Sequence, residues 1–158
     1  MKNMIKLYEM KQEDVKPFLL SGMAIVTIED PISKVRYTYK VTKHEGGNVR
    51  YDVSLLIGPD NHNDYLFICY FYAGVRTRMM IPQSLKYRRN DIQVKMFDEL
   101  LKYAMQDQIL MSGILNVYHS GKCGKCGRLL TVPSSIKAGL GPICEMYSIT
   151  GTSVRKNN

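Results

Sequence analysis

Tryptophan is absent from this chain, and acidic residues are few: 14 Asp and Glu stand against 22 Lys and Arg, with 3 His and 4 Cys in 158 residues. No stretch reaches the roughly 18 consecutive apolar residues of a membrane helix. The opening MKNMIKLYEMKQEDVK has no apolar run of the length a secretory signal needs. These absences predict a cytoplasmic protein whose cysteines stay reduced, so metal or catalytic roles outrank disulfides. Signatures of catalysis are missing too. There is no glycine-rich phosphate loop, no dinucleotide fingerprint, no nucleophile–histidine pair, and no His-x-Glu of a zinc deaminase. The expectation is a protein that is not an enzyme and takes no small-molecule substrate.

What is present is a surplus of positive charge. The formal net charge is +8 and the isoelectric point near 9.3. From Gln108 to the end, six basic residues (Lys122, Lys125, Arg128, Lys137, Arg155 and Lys156) face a single acid, Glu145. Uncompensated basic charge of this kind predicts an anionic partner, nucleic acid first. A second basic stretch, Lys86-Tyr87-Arg88-Arg89, could grip phosphates or be a solvated loop. Lys122, Lys125, Arg128, Lys137, Arg88 and Arg89 are the candidate partner-binding residues.

Hydrophobic residues make up 45% of the chain, enough for a core. The pattern predicts a short strand or coil over 4–8, then a helix whose Pro17 must lie in the first turn. Strand signals follow. AIVTIED (24–30) ends at the Asp30-Pro31 turn. KVRYTYKVTK (34–43) alternates, with Val35, Tyr37, Tyr39 and Val41 on one side. The turn EGGN (45–48) leads into VRYDVSLLIG (49–58), with Tyr51, Val53, Leu55 and Ile57 on one face. DYLFICYFY (64–72) is apolar on both faces, as a central strand would be. VRTRMMI (75–81) is a further candidate strand. Together these read as an antiparallel meander. A long helix is predicted next, capped by Asn90 with Gln93, its stripe being Val94, Phe97, Leu101, Ala104 and Met105. ILNVYH (114–119) reads as a last strand. Tyr37, Tyr39, Tyr70 and Tyr72 could stack bases if they face solvent beside Arg36 or Lys40; the alternative is packing within the sheet. Cys69 reads as a small buried hydrophobe, and His44 and His62 lie in turns.

The segment HSGKCGKCGRLLTVPSSIKAGLGPIC (119–144) carries three of the four cysteines, one histidine and five glycines. His119, Cys123, Cys126 and Cys144 have the spacing H-x3-C-x2-C-x17-C. Cys-x2-Cys in a tight turn places two sulfurs close enough for one tetrahedral ion, and the glycines let backbone amides point at the sulfurs. Pro142 fits the first turn of a helix that would carry Cys144. A knuckle, a hairpin or loop, and a helix offering a ligand is a treble-clef-like layout for one structural zinc ion. A redox Cys-x2-Cys, an iron or iron–sulfur site and a metal-free loop stand beside it as other readings. His119 could also be a strand-end histidine, with water or Glu145 as fourth ligand.

Cys123–Cys144, CGKCGRLLTVPSSIKAGLGPIC, resembles the pattern C-x2-CGR-x-LT-x-P-x-S-x3-G-x-GP-x-C of phage-encoded proteins catalogued as domain of unknown function 6011. The likeness is close over 117–145, and the upstream RYTYKV…VSLLIGPDNHNDYLFI is similar to the sheet region preceding this module, extending it over 34–145. Ser134 departs from the acid expected there, which bears on a local helix-start contact. The resemblance implies phage origin, and hence the host-cell cytoplasm, and a zinc-binding module; it implies no reaction. The resulting expectation is an α+β protein. Residues 1–113 would form an antiparallel sheet with a packed long helix, and 114–158 a zinc-binding module. Its partner would be DNA or RNA or, alternatively, a host defence protein complex of the CRISPR type that it inhibits, and no membrane.

Overall fold

A computed structural model of the chain describes residues 6–60, 62–74, 77–106 and 113–144. Among these, β1 (Tyr8–Glu9), β2 (Met23–Glu29), β3 (Arg36–His44), β4 (Arg50–Leu56), β5 (Tyr65–Tyr72), β6 (Met79–Met80) and β7 (Asn116–His119) form one sheet. All its pairings are antiparallel, in the order β1-β7-β2-β3-β4-β5-β6. The helices are α1 (Gln12–Leu19), α2 (Ile92–Met105) and α3 (Pro133–Ala138). The fold is therefore α+β, as the pattern predicts. β2 to β6 form the meander, and β7 then returns to lie between β1 and β2. A boundary at residue 114 thus falls just ahead of an inner strand of the sheet. No described helix is long and apolar enough to cross a membrane.

Alternation decides which face is buried. Register pairs Tyr39 with Val26 and Leu55, and Val41 with Ala24 and Val53, and all six are buried on one side. α2 lies on this side. Its Val94, Phe97, Leu101 and Ala104 are buried, and Met105 packs at the margin. The Phe97 ring meets Tyr39 at 5.2 Å and Phe71 at 6.3 Å between centroids, and the Tyr39 hydroxyl donates to the Gln93 carbonyl at 2.6 Å. Removing such a ring costs ~3–5 kcal/mol. α1 joins the same layer through Val15, Phe18 and Leu19, spaced three and four apart.

Three local expectations are corrected. Pro17 is not in the first turn of α1 but sixth of its eight residues. It is exposed, so the hydrogen bond it forgoes lies on the solvent side, where water can serve the freed carbonyl. The α2 cap is Asp91 rather than Asn90, and no capping box forms. The Asp91 carboxylate instead accepts from the Arg88 N–H at 2.7 Å, holding the preceding loop. β5 is apolar on both faces although it is not central: only two-residue β6 lies outside it. A bulge opposite Val53/Ser54 buries both Ile68 and Cys69, while Tyr65, Phe67, Tyr70 and Tyr72 lie on the opposite face. Aromatic rings there are half-exposed, which an apolarity pattern cannot separate from burial. Ile57, beyond the end of β4, is 58% exposed.

Candidate metal centre

The chain leaves the sheet at His119 and turns at once. Residues 121–123 run antiparallel to 128–130: the Cys123 N–H donates to the Arg128 carbonyl at 2.8 Å, and the Leu130 N–H to the Gly121 carbonyl at 2.7 Å. The Gly127 N–H closes the turn on the Cys123 carbonyl at 2.9 Å. Gly127 has φ of 76°, a left-handed conformation that glycine adopts at little cost. α3 follows, a six-residue helix in the stretch where sequence allowed only a hairpin or loop. Pro142, Ile143 and Cys144 are then helical, which returns the third thiol to the first two.

The sulfurs of Cys123, Cys126 and Cys144 lie within 4.8 Å of one another. Tetrahedral coordination at ~2.3 Å per sulfur would set them ~3.8 Å apart, so an inward shift of about an ångström or less suffices. The donor set therefore fits a metal ion. Its surroundings favour thiolate at one corner. Burial opposes ionisation of Cys123, but N–H groups of Gly141, Cys126 and Lys125 and the Cys126 thiol outweigh it and hold this thiol below its ordinary value. The Gly141 and Lys125 N–H groups lie 3.4 and 3.5 Å from Cys123 Sγ. Cys144 moves the other way, pushed up to about 12 by burial and by the adjacent Cys123 and Cys126 thiols. Three clustered thiols cannot all ionise unaided; a soft divalent cation removes that conflict. Cys123 is buried, Cys144 half-buried and Cys126 exposed, so the cluster opens to solvent on one side. A cavity of about 200 Å³ there is rimmed by Leu129, Val132 and Ile143.

His119 does not join the cluster. It is 1% exposed, stacks on Tyr8 at 5.4 Å and touches Phe18 at 5.7 Å between ring centroids. Its Nδ1 accepts from the Gly121 N–H at 3.0 Å, so Nε2 carries the proton and donates to the Ile136 carbonyl. Burial lowers its pKa, against the Ile136 bond, and favours the neutral ring. The expected fourth corner instead ties β7, the Gly121 turn and α3 together. Glu145, the other fourth-ligand candidate, lies outside the described residues.

The knuckle also rests on α1. The Gly124 carbonyl accepts from the Met23 N–H at 2.6 Å, and a Cβ at Gly124 would come within 2.7 Å of the Phe18 ring. Only glycine allows that approach.

The six residues expected to meet a partner do not form one patch. Lys122, Lys125 and Arg128 are exposed on the knuckle. Lys137 lies 3.3 Å from Asp14 Oδ2, joining α3 to α1. Arg88 and Arg89 stand at the opposite sheet edge, beyond β6. Their guanidinium groups donate to neutral backbone carbonyls, Arg88 to Gln83 at 2.7 Å and Arg89 to Met79 at 2.8 Å. With Arg78 they line an open cavity of about 820 Å³ whose walls include no carboxylate. Sequence reasoning passed over Arg78, whose signal was the alternation of basic residues in VRTRMMI. Tyr39 is core, and Tyr37 packs against the core; neither is free to stack a base. Cys69 is fully buried, its thiol pushed up to about 12 chiefly by burial. Arg155 and Lys156 lie outside the described residues.

Residues 115–146 match the model of the Family of unknown function (DUF6011). That span carries β7, the knuckle, α3 and all three clustered cysteines. No curated protein and no solved structure matches the chain.

Proposed function

We propose that this is a non-enzymatic nucleic-acid-binding protein, with one structural zinc ion held by Cys123, Cys126 and Cys144 in a treble-clef-like module. It would act in a reducing cytoplasm, where the thiols stay available to the metal. Zinc is favoured because three thiolates are soft donors and suit a tetrahedral site. When bound, the ion fixes the knuckle and the helix start at Pro142 relative to one another.

One observation carries the nucleic-acid reading: the cavity of Arg78, Arg88 and Arg89. Neutral carbonyls hold Arg88 and Arg89 in place without cancelling their charge. Arg78 makes no ion pair or hydrogen bond among the described residues. Guanidinium groups fixed in this way suit phosphate oxygens. Lys122, Lys125 and Arg128 add basic charge at the other end of the sheet.

The test is a titration of single- and double-stranded DNA and RNA between low and moderate salt. Affinity should fall with rising salt, and Arg78→Ala should reduce the slope of log affinity against log salt by about 1. No affinity at low salt, or affinity indifferent to salt, would overturn the reading.

A further inference from the structure

The sheet has a second face that neither α1 nor α2 covers. Register places Tyr118, Thr27 and Thr38 in one row across it, continued by Leu56 and Tyr65. Ile25, Lys40, Ser54 and Phe67 form the next row. Cations lie on rings throughout: Arg36 over Tyr118 at 5.1 Å, Lys40 over Tyr65 at 4.5 Å, and Arg50 over Tyr70 at 4.4 Å. At the end nearest the knuckle the surface deepens into a cavity of about 440 Å³. This is within the ~300–1,000 Å³ of small-ligand clefts. Ile25 and the Tyr65 ring give it apolar walls, Ser120 a hydroxyl, Thr27 a hydroxyl bonded to Thr38 at 2.8 Å, and Lys122 positive charge, that of Arg36 being matched by Glu29.

Two details show what the cavity lacks. The Tyr65 hydroxyl is buried with no hydrogen-bond partner among the described residues. A buried hydroxyl in that state is satisfied by water or by a ligand's donor or acceptor. Of the two cations lining the cavity, Arg36 is already matched by a carboxylate and Lys122 is not. Glu29 is already bound by Arg36 at 2.6 Å, Asn116 at 3.0 Å and Tyr118 at 3.2 Å. Asp60 and Asp64, on the adjoining loop, accept N–H groups of their own loop. Lys122 makes no ion pair among the described residues.

Flat rings, hydroxyls and an uncompensated lysine match a nucleotide: a planar base with hydrogen-bonding edges and an anionic phosphate. The rows of rings beyond the cavity match further bases of the same strand. We propose that this face binds single-stranded nucleic acid, seating one nucleotide between Tyr65, Thr27 and Lys122 and stacking its neighbours toward Tyr70. The inference rests on the nucleic-acid reading above and adds a second surface to the arginine cavity.

The test uses the full chain with fluorescein-labelled dT12 and rU12, the corresponding duplexes, and the mononucleotides TMP and UMP. Lys122→Ala and Tyr65→Leu should each weaken single-strand binding about tenfold, and duplex binding much less. Ultraviolet crosslinking of 5-iodouridine oligomers should mark the peptide containing Tyr65. Lys122 is exposed, so its variant remains decisive if Tyr65→Leu does not fold. Single-strand binding unchanged in Lys122→Ala, with crosslinks confined to 78–89, overturns this proposal and leaves the general reading standing. A mononucleotide bound as tightly as the 12-mers overturns the strand and makes the cavity a free-nucleotide site. No binding of any nucleic acid by the unaltered protein overturns both.

Discussion

Around Phe18, Tyr39, Phe71 and Phe97, the sheet and its two long helices share one continuous apolar core. The segment from Ser120 to Cys144 has a second cluster of only four buried residues, Cys123, Leu130, Ala138 and Leu140, edged by Ile136 and Cys144. Two of those six are thiols of the cysteine cluster. The first region has enough burial to hold its shape by the hydrophobic effect. The second has too little, and what it has instead are converging sulfurs, backbone N–H groups aimed at one of them, and a seat on α1. The stabilising chemistry of a protein can thus change within a few residues of chain, here at His119.

The most severe way to break this contrast is to remove a ligand. Cys126→Ser should lower zinc content from about one ion per chain to near zero by elemental analysis. Structural zinc contributes on the order of 10 kcal/mol to small modules, so hydrogen exchange should accelerate over 120–144 and stay slow in β2–β5. Collapse of the whole sheet would show that the two regions are one cooperative unit. The reverse experiment is Phe97→Ala. Its lost ring should cost ~3–5 kcal/mol in urea denaturation, while the folded fraction keeps its full zinc content.

Acid should separate the regions again. Bonds from Asn116 and Arg36, then the Arg36 charge and a bond from Tyr118, hold Glu29 at about 2, well below its ordinary 4.5, against the cost of burial. A depressed carboxyl contributes stability that is complete above pH 4.5 and disappears as pH falls toward about 2. Thiolate ligands meet proton competition at higher pH. Circular dichroism and zinc release followed together should show metal lost first and the sheet later, and Glu29→Gln should flatten only the later limb. The smallest effect is expected at the seam. Lys137 is 55% exposed, so solvent screens its pair with Asp14. A double-mutant cycle with Asp14→Asn and Lys137→Ala should return less than about 1 kcal/mol; a larger coupling would mean that the module is anchored by charge rather than by the Phe18 contact.

Much of this arrangement is legible in the residues themselves. Strict alternation from Val35 to Val41 marks a half-buried strand, and the spacing from Val94 to Ala104 marks the packed helix. Cys-x2-Cys with a distant Cys144 after Gly141-Pro142 marks the thiol cluster. His119 is different. Its distance from Cys123 suits a ligand and a core histidine equally well, and Tyr8, which stacks on it, comes from the other end of the chain. α3 is too short to show periodicity. Tyr65 and Tyr118 gain meaning only when register places them on one face with Thr27. Arg78 belongs with Arg88 and Arg89 only because the loop after β6 folds back along the sheet edge.

β7 sits between β1 and β2, although about two thirds of the chain separates it from β1. During synthesis β1 therefore has no partner among the described strands until residues 116–119 are made. The meander and α2 can assemble beforehand, because their neighbours are adjacent in sequence. Closure of the sheet and delivery of the knuckle to α1 then coincide, since the same four residues perform both. Translation halted before β7 would leave the β2 edge bare and the three clustered thiols unmade, so one stretch of chain both seals the sheet and brings in the cysteine cluster.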